Sequence, residues 1–130
     1  MSFLVCFRII INISMKTIIA GSRTATLPQV MKALELCPFT SEITEVVSGC
    51  ARGADSYGEM LAEEFKTPIK RFPAEWEKYG RGAGHIRNGL MAEYSDALIA
   101  VWDGISTGTF DMIKKAENNG LKIYIHRLDT

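Results

Sequence analysis

The feature that most limits what this chain can become is a pattern that recurs three times along it. Each time, a short apolar run is followed by a turn punctuated with glycine and then by apolar residues at helical spacing. Thr17-Ile18-Ile19-Ala20 leads through Gly21-Ser22-Arg23 to Leu27, Val30, Met31 and Leu34. Val46-Val47 leads through Ser48-Gly49-Cys50-Ala51-Arg52-Gly53 to Ala54, Tyr57, Leu61 and Phe65. The run Ala97-Leu98-Ile99-Ala100-Val101-Trp102 leads through Asp103-Gly104-Ile105-Ser106-Thr107-Gly108-Thr109 to Phe110, Ile113 and Ala116. Continuously apolar strands are covered on both faces, and strands alternating with helices pair in parallel. Adding a short strand at Ile69–Phe72, a helix over His85–Tyr94 and a final strand at Leu121–Ile125 gives five strands and four helices. The predicted fold class is therefore α/β, a single three-layer Rossmann-like domain on a parallel sheet of about five strands.

At 130 residues the chain suffices for one core and not for two. Fifteen basic and fifteen acidic side chains cancel, which argues against a dedicated nucleic-acid binder. The cysteines Cys6, Cys37 and Cys50 show neither a CxxC pair nor metal-ligand spacing, a pattern suited to a reducing compartment. No metal and no cofactor are expected. The apolar run Phe3–Ile13 is too short for a membrane span, is broken by Arg8, and lacks the features of a signal peptide. A cytoplasmic protein without a membrane partner is the expectation. Residues 1–15 read as a dispensable N-terminal extension, and 16–130 as the folded domain.

In open parallel sheets a ligand binds beyond the carboxyl ends of the strands, where strand order reverses. All three glycine turns belong to that edge, and each opens a helix whose unpaired N–H groups attract anions. Arg23 and Arg52 add cations at two of the turns. The long segment Pro73–Gly84, with three glycines, Trp76 and Tyr79, has the character of a functional loop.

Four motifs occur in order: Gly21-Ser22-Arg23, then Ser48-Gly49-Cys50-Ala51-Arg52-Gly53-Ala54-Asp55, then Ala83-Gly84-His85-Ile86-Arg87-Asn88, then Trp102-Asp103-Gly104-Ile105-Ser106-Thr107-Gly108-Thr109. Together they resemble the YspA-like, cpYpsA-related branch of the SLOG superfamily, over nearly everything after Met15. The resemblance implies a Rossmann-like fold and a nucleotide-derived ligand. Its loop usually has glycine where this chain has Cys50. A wider similarity reaches the LOG, or "lysine decarboxylase-like", phosphoribohydrolases: Arg87-Asn88-Gly89-Leu90-Met91 looks like their RxxxM segment, and Gly108-Thr109-Phe110-Asp111 like their G-T-x-E segment. Asp111 stands where they have glutamate, and their PGG lead-in and second acidic residue are missing. Relatives in both groups are often oligomers, so the resemblance carries the expectation of a homodimer.

These motifs make Gly21, Ser22, Arg23, Ser48, Gly49, Cys50, Ala51, Arg52, Gly53, Asp55, Arg87, Asn88, Asp103, Gly104, Ser106, Gly108 and Thr109 the candidate ligand-binding residues. Arg87 is read as a guanidinium gripping phosphate or ribose. Arg23 and Arg52 are read either as anion ligands or as partners of Asp55 and Asp103 that brace the loops. Asp55 serves a ligand or simply the helix dipole; Asp103 contacts ribose or shapes its turn. Ser106, Thr107 and Thr109 compete as helix caps. Cys50 is either a small filler or a thiol activated by a helix terminus and Arg52, and Trp76 and Tyr79 either stack on a base or anchor their loop. Two functions follow. The first is a binding module or sensor for a nucleotide-derived small molecule; the second is a hydrolase cleaving the N-glycosidic bond of a nucleoside 5′-monophosphate, with Arg87 and Asp111 as its catalytic pair.

Overall fold

The structure is a computed structural model that describes residues 13–128. Most of the proposed N-terminal extension, residues 1–12, lies outside the described residues. Met15, at its end, donates its main-chain N–H to Thr44 Oγ1 at 2.8 Å and packs against the core.

Five strands form one sheet: β1 (Lys16–Gly21), β2 (Glu45–Ser48), β3 (Ile69–Arg71), β4 (Ala97–Trp102) and β5 (Lys122–Arg127). Their order is β3-β2-β1-β4-β5 and every pairing is parallel. The connecting helices are α1 (Leu27–Leu36), α2 (Ala54–Glu64), a single turn α3 (Trp76–Tyr79), α4 (Ala83–Tyr94) and α5 (Thr107–Asn118). Short 3-10 turns occupy Thr40–Glu42 and Gly80–Gly82. The segment 73–84 is thus not wholly a loop.

Alternation along the strands divides the core into two layers. Ile19, Val46, Ile99 and Val101 face Val30 and Ala33 of α1 and Ala54, Leu61 and Ala62 of α2. Ile18, Val47, Leu98 and Ala100 face Met91 and Ala92 of α4 and Met112, Ile113 and Ala116 of α5. Each fully buried aliphatic side chain is worth roughly 1.5–3 kcal/mol, so the two layers hold the sheet from both sides. Strand order reverses at β1, which leaves a crevice between the carboxyl ends of β1 and β4.

Three helix faces differ from the expected ones. Phe65 caps α2 and is 73% exposed, while Gly58 and Ala62 pack on the sheet. Phe110 and Met31 are about half exposed, at 48% and 51%. Small residues take the inner positions because α2 runs close to β1: a Cβ on Gly58 would lie 2.8 Å from Ile19 Cγ2. Aromatic bulk has no room in such an interface.

Candidate functional site

The three glycine turns meet at Ser22, which is buried at the end of β1. Its N–H donates to Val101 O at 2.9 Å, and its carbonyl accepts from Ala25 N at 3.1 Å and Ala54 N at 3.4 Å. Its Oγ accepts from Asp103 N at 3.0 Å. One residue thereby ties the end of β1 to the start of α2 and the end of β4. Gly21 permits the approach, since a Cβ there would lie 2.1 Å from Val101 O. Gly53, at φ +78°, sits against the carbonyls of Ser22 and Arg23, 2.5 Å from where its Cβ would be.

In the turn after β2, Ser48 Oγ donates to Glu59 Oε2 at 2.6 Å and accepts from Cys50 N at 3.1 Å. Glu59 also takes Arg71 Nε at 2.8 Å. Cys50 lies in the left-handed region at φ +64°, a conformation that glycine adopts without strain. Burial first, then the neighbouring Glu59 carboxylate, pushes its thiol pKa up against the opposing pull of Arg71 and Arg87, which favours the reading of Cys50 as a small filler over that of an activated thiol.

Arg87, near the start of α4, reaches back to this turn. Its Nη1 donates to the carbonyl of Gly49, and its Nε donates to Asn88 Oδ1 at 2.9 Å. Asn88 Nδ2 in turn donates to Asp111 Oδ2 at 2.9 Å and Gly108 O at 3.3 Å. Lys115 Nζ lies 2.8 Å and His85 Nδ1 3.1 Å from the same Asp111 oxygen. Burial raises the pKa of Asp111, but hydrogen bonds from Lys115, Asn88 and His85 outweigh it and hold the group below the usual carboxylate range. Asp111 therefore acts on the site through Asn88, fixing the amide so that its oxygen faces Arg87.

Asp55, at the first turn of α2, is only 5% exposed. Burial pushes its pKa up to about 6, against the opposing pull of Arg87 and of the Ala51, Gly49 and Asp55 main-chain N–H groups. Asp103 behaves oppositely. Its Oδ1 accepts from Ser106 N and Ile105 N, each at 2.8 Å, and these bonds depress its pKa. Asp103 therefore shapes its own turn. Ser106 caps α5 by accepting from Thr109 N at 3.5 Å.

These elements enclose a cavity of about 430 Å³ over the β1/β4 crevice. Of the sequence-predicted residues, Gly21, Ser22, Arg23, Ala51, Asp55, Arg87, Asn88, Asp103, Ser106, Gly108 and Thr109 line it. Gly49, Cys50 and Arg52 line an adjoining cavity of about 320 Å³. Ser48, Gly53, Gly104 and Asp111 line neither. Ser48 holds Glu59, Gly53 backs onto the β1 turn, and Gly104 lies under the Arg127 guanidinium. Arg23 and Arg52 do not brace the loops through Asp55 or Asp103. Among the described residues neither makes an ion pair, because backbone N–H groups already occupy the carboxylate of Asp103 and the Arg87 side of the loop faces Asp55.

Met91, of the RxxxM segment, is on the larger cavity's wall, and sequence reasoning did not single out Arg81, Thr24 or Met112, which are also on it. Arg81 had a signal, a cation between two glycines in the long segment; the others carried none. Trp76 borders both cavities. Among the described residues no cluster of three His, Cys, Asp or Glu side chains could hold a metal, and no helix is long and apolar enough to cross a membrane.

No protein-family model matches the chain. It is 33% identical over 84 residues to the Gene 61 protein of Mycobacterium phage D29, a match covering 60% of this chain and 67% of that protein. Among solved structures it resembles DNA processing protein A (DprA) from Streptococcus pneumoniae, with a TM-score of 0.68 and 16% identity. That similarity covers 86% of this chain and half of the other, so this chain spans half the length of that protein. At this identity the likeness concerns the fold alone, a Rossmann-like α/β domain.

Proposed function

This chain belongs to the family of the Gene 61 protein of Mycobacterium phage D29, and with that premise and the cavity in view we propose that it is a binding module for a nucleotide-derived small molecule. The observation that carries this reading is the cavity at the β1/β4 strand reversal, walled by Arg23, Arg81 and Arg87 and by the N-terminal turn of α5. Among the described residues Arg23 and Arg81 have no carboxylate partner. Unpaired guanidiniums beside a helix N-terminus suit phosphate. Asp55 and the second carboxylate oxygen of Asp103 on the same wall offer acceptors suited to sugar hydroxyls. On this reading the domain is residues 16–130 and belongs to the YspA-like, cpYpsA-related branch of SLOG proteins.

The hydrolase reading places chemistry on Arg87 and Asp111. Asp111 is the weaker member, because Lys115, His85 and Asn88 saturate its carboxylate and it does not border the cavity. A general acid or base must reach its target within hydrogen-bond distance.

The test is calorimetry and mass spectrometry on the purified protein with a panel of nucleoside 5′-monophosphates, NAD and, because the name of the Streptococcus protein refers to DNA processing, single-stranded DNA. Saturable binding of a nucleotide without released base supports the module. Released base, abolished by Asp111→Asn, would replace it with the hydrolase, and binding of DNA alone would replace both.

A further inference from the structure

The two cavities share one wall, formed by Arg23, Ala51, Trp76 and Arg87, yet their charges differ. The larger holds two carboxylates, Asp55 and Asp103, beside its arginines. In the smaller every charged residue among the described lining residues is a cation: Arg23 and Arg87 on the shared wall, and Arg52, which does not border the larger. Arg87 turns Nη1 toward Gly49 O at the boundary. Gly49 has no Cβ to spare, since one built there would fall 2.8 Å from both Arg87 Nη1 and Asp55 Oδ2. Among the described residues Arg52 and Arg23 form neither an ion pair nor a side-chain hydrogen bond. Arg87 has the Asp55 carboxyl beside it, but among the described residues Arg23 and Arg52 have no acid partner, so the cations around this hollow are not fully offset and an anion placed among them is favoured.

We propose that the smaller cavity is a second anion subsite, so that the natural ligand carries two separated phosphate groups, one in each cavity, joined across the Arg23–Trp76–Arg87 wall. This rests on the nucleotide-binding reading above and deepens it. The carboxylates divide the labour: sugar and base lie on the side of Asp55 and Asp103, and the additional phosphate lies on the side that lacks an acid. Trp76 offers an aromatic face to whatever links the two.

The test compares two ligand series by calorimetry, the nucleoside 5′-monophosphates and the 3′,5′-bisphosphates of the same four nucleosides, against the full-length chain and its Arg52→Gln variant. Arg52 borders only the smaller cavity and is exposed, so the variant keeps its fold. Its circular dichroism spectrum and melting temperature check this. The expected result is that a bisphosphate binds at least tenfold tighter than its monophosphate, and that Arg52→Gln removes this advantage while changing monophosphate affinity less than twofold. Equal affinity for the two series, or a bisphosphate advantage untouched by Arg52→Gln, overturns the second subsite and leaves the binding module standing. Absence of binding in both series overturns both. A single-stranded DNA dodecamer that binds more tightly than every bisphosphate also overturns it, by assigning the arginines to a polynucleotide backbone.

Discussion

Arg87 donates a hydrogen bond to the main-chain carbonyl of Gly49, a residue 38 positions earlier in the chain. The contact locks the turn after β2 onto α4 and sets the Arg87 guanidinium beside the buried carboxyl of Asp55. Four predictions concern this arrangement and the turns around it.

Replacing Arg87 with methionine removes the donors to Gly49 O and Asn88 Oδ1 and withdraws the cation that favours ionised Asp55. Hydrogen bonds made by charged groups contribute about 1.5–3 kcal/mol each. Arg87→Met is expected to lose about 2 kcal/mol by urea denaturation at pH 7 and to weaken nucleotide binding at least tenfold. Loss of binding with unchanged stability would mean that Arg87 serves only the ligand.

Asp55 gives a pH signature. Its folded pKa, about 6, lies above the ordinary 3.8, so between these values the native state binds more protons than the unfolded state. Stability therefore falls as pH rises from about 4 to 6, and the full cost is present above 6. The size is on the order of 3 kcal/mol at one pKa unit per 1.36 kcal/mol. Asp103 and Asp111, with depressed pKa values, act in the opposite sense and only as pH falls below about 4. Asp55→Asn should flatten the slope between pH 4 and 6; a slope unchanged in the variant would assign it to another group.

Gly21 and Gly89 make a matched pair. A Cβ at Gly21 meets Val101 O at 2.1 Å, whereas one at Gly89 meets nothing within 4 Å. Gly21→Ala should cost about 3 kcal/mol or more, since the obstacle is backbone of the adjacent strand. Gly89→Ala, inside α4, should gain roughly 0.5–1 kcal/mol. Thermal melts of the two variants, shifted in opposite directions, check both.

Cys50 adopts φ +64°, where an L-residue costs roughly 1–2 kcal/mol. Glycine relieves that strain but adds freedom to the unfolded chain, about 0.4–1 kcal/mol. Cys50→Gly should leave a net gain of roughly 0.5–1 kcal/mol in the denaturation midpoint. A loss would show that the Cys50 side chain holds the turn through its packing near Ser48.

Much of this was readable along the chain, and the reason is local. Apolar runs such as 97–102 and the spacing of Val30, Leu61 and Ile113 report strand and helix without knowledge of neighbours. Positive φ demands glycine at Gly53 and Gly104 wherever those turns sit in space. The outward turn of Phe65 and Phe110 was not readable, because helical spacing marks several adjacent positions as inward and only the distance to the sheet selects among them. Arg81 likewise reaches the larger cavity's wall through the fold of a long segment rather than through its neighbours in sequence.

The amino-acid sequence by itself determined the parallel α/β architecture and the three turns at one edge of the sheet, because patterning and turn chemistry act within a few residues. Tertiary structure decided which groups keep free charge. Asp111 is consumed by Lys115, His85 and Asn88, and Asp103 by its own turn. Asp55 is buried under Arg87, while Arg23 and Arg52 are left without acids among the described residues. Such pairings depend on angstrom distances between side chains far apart in the chain, and no local pattern encodes those distances.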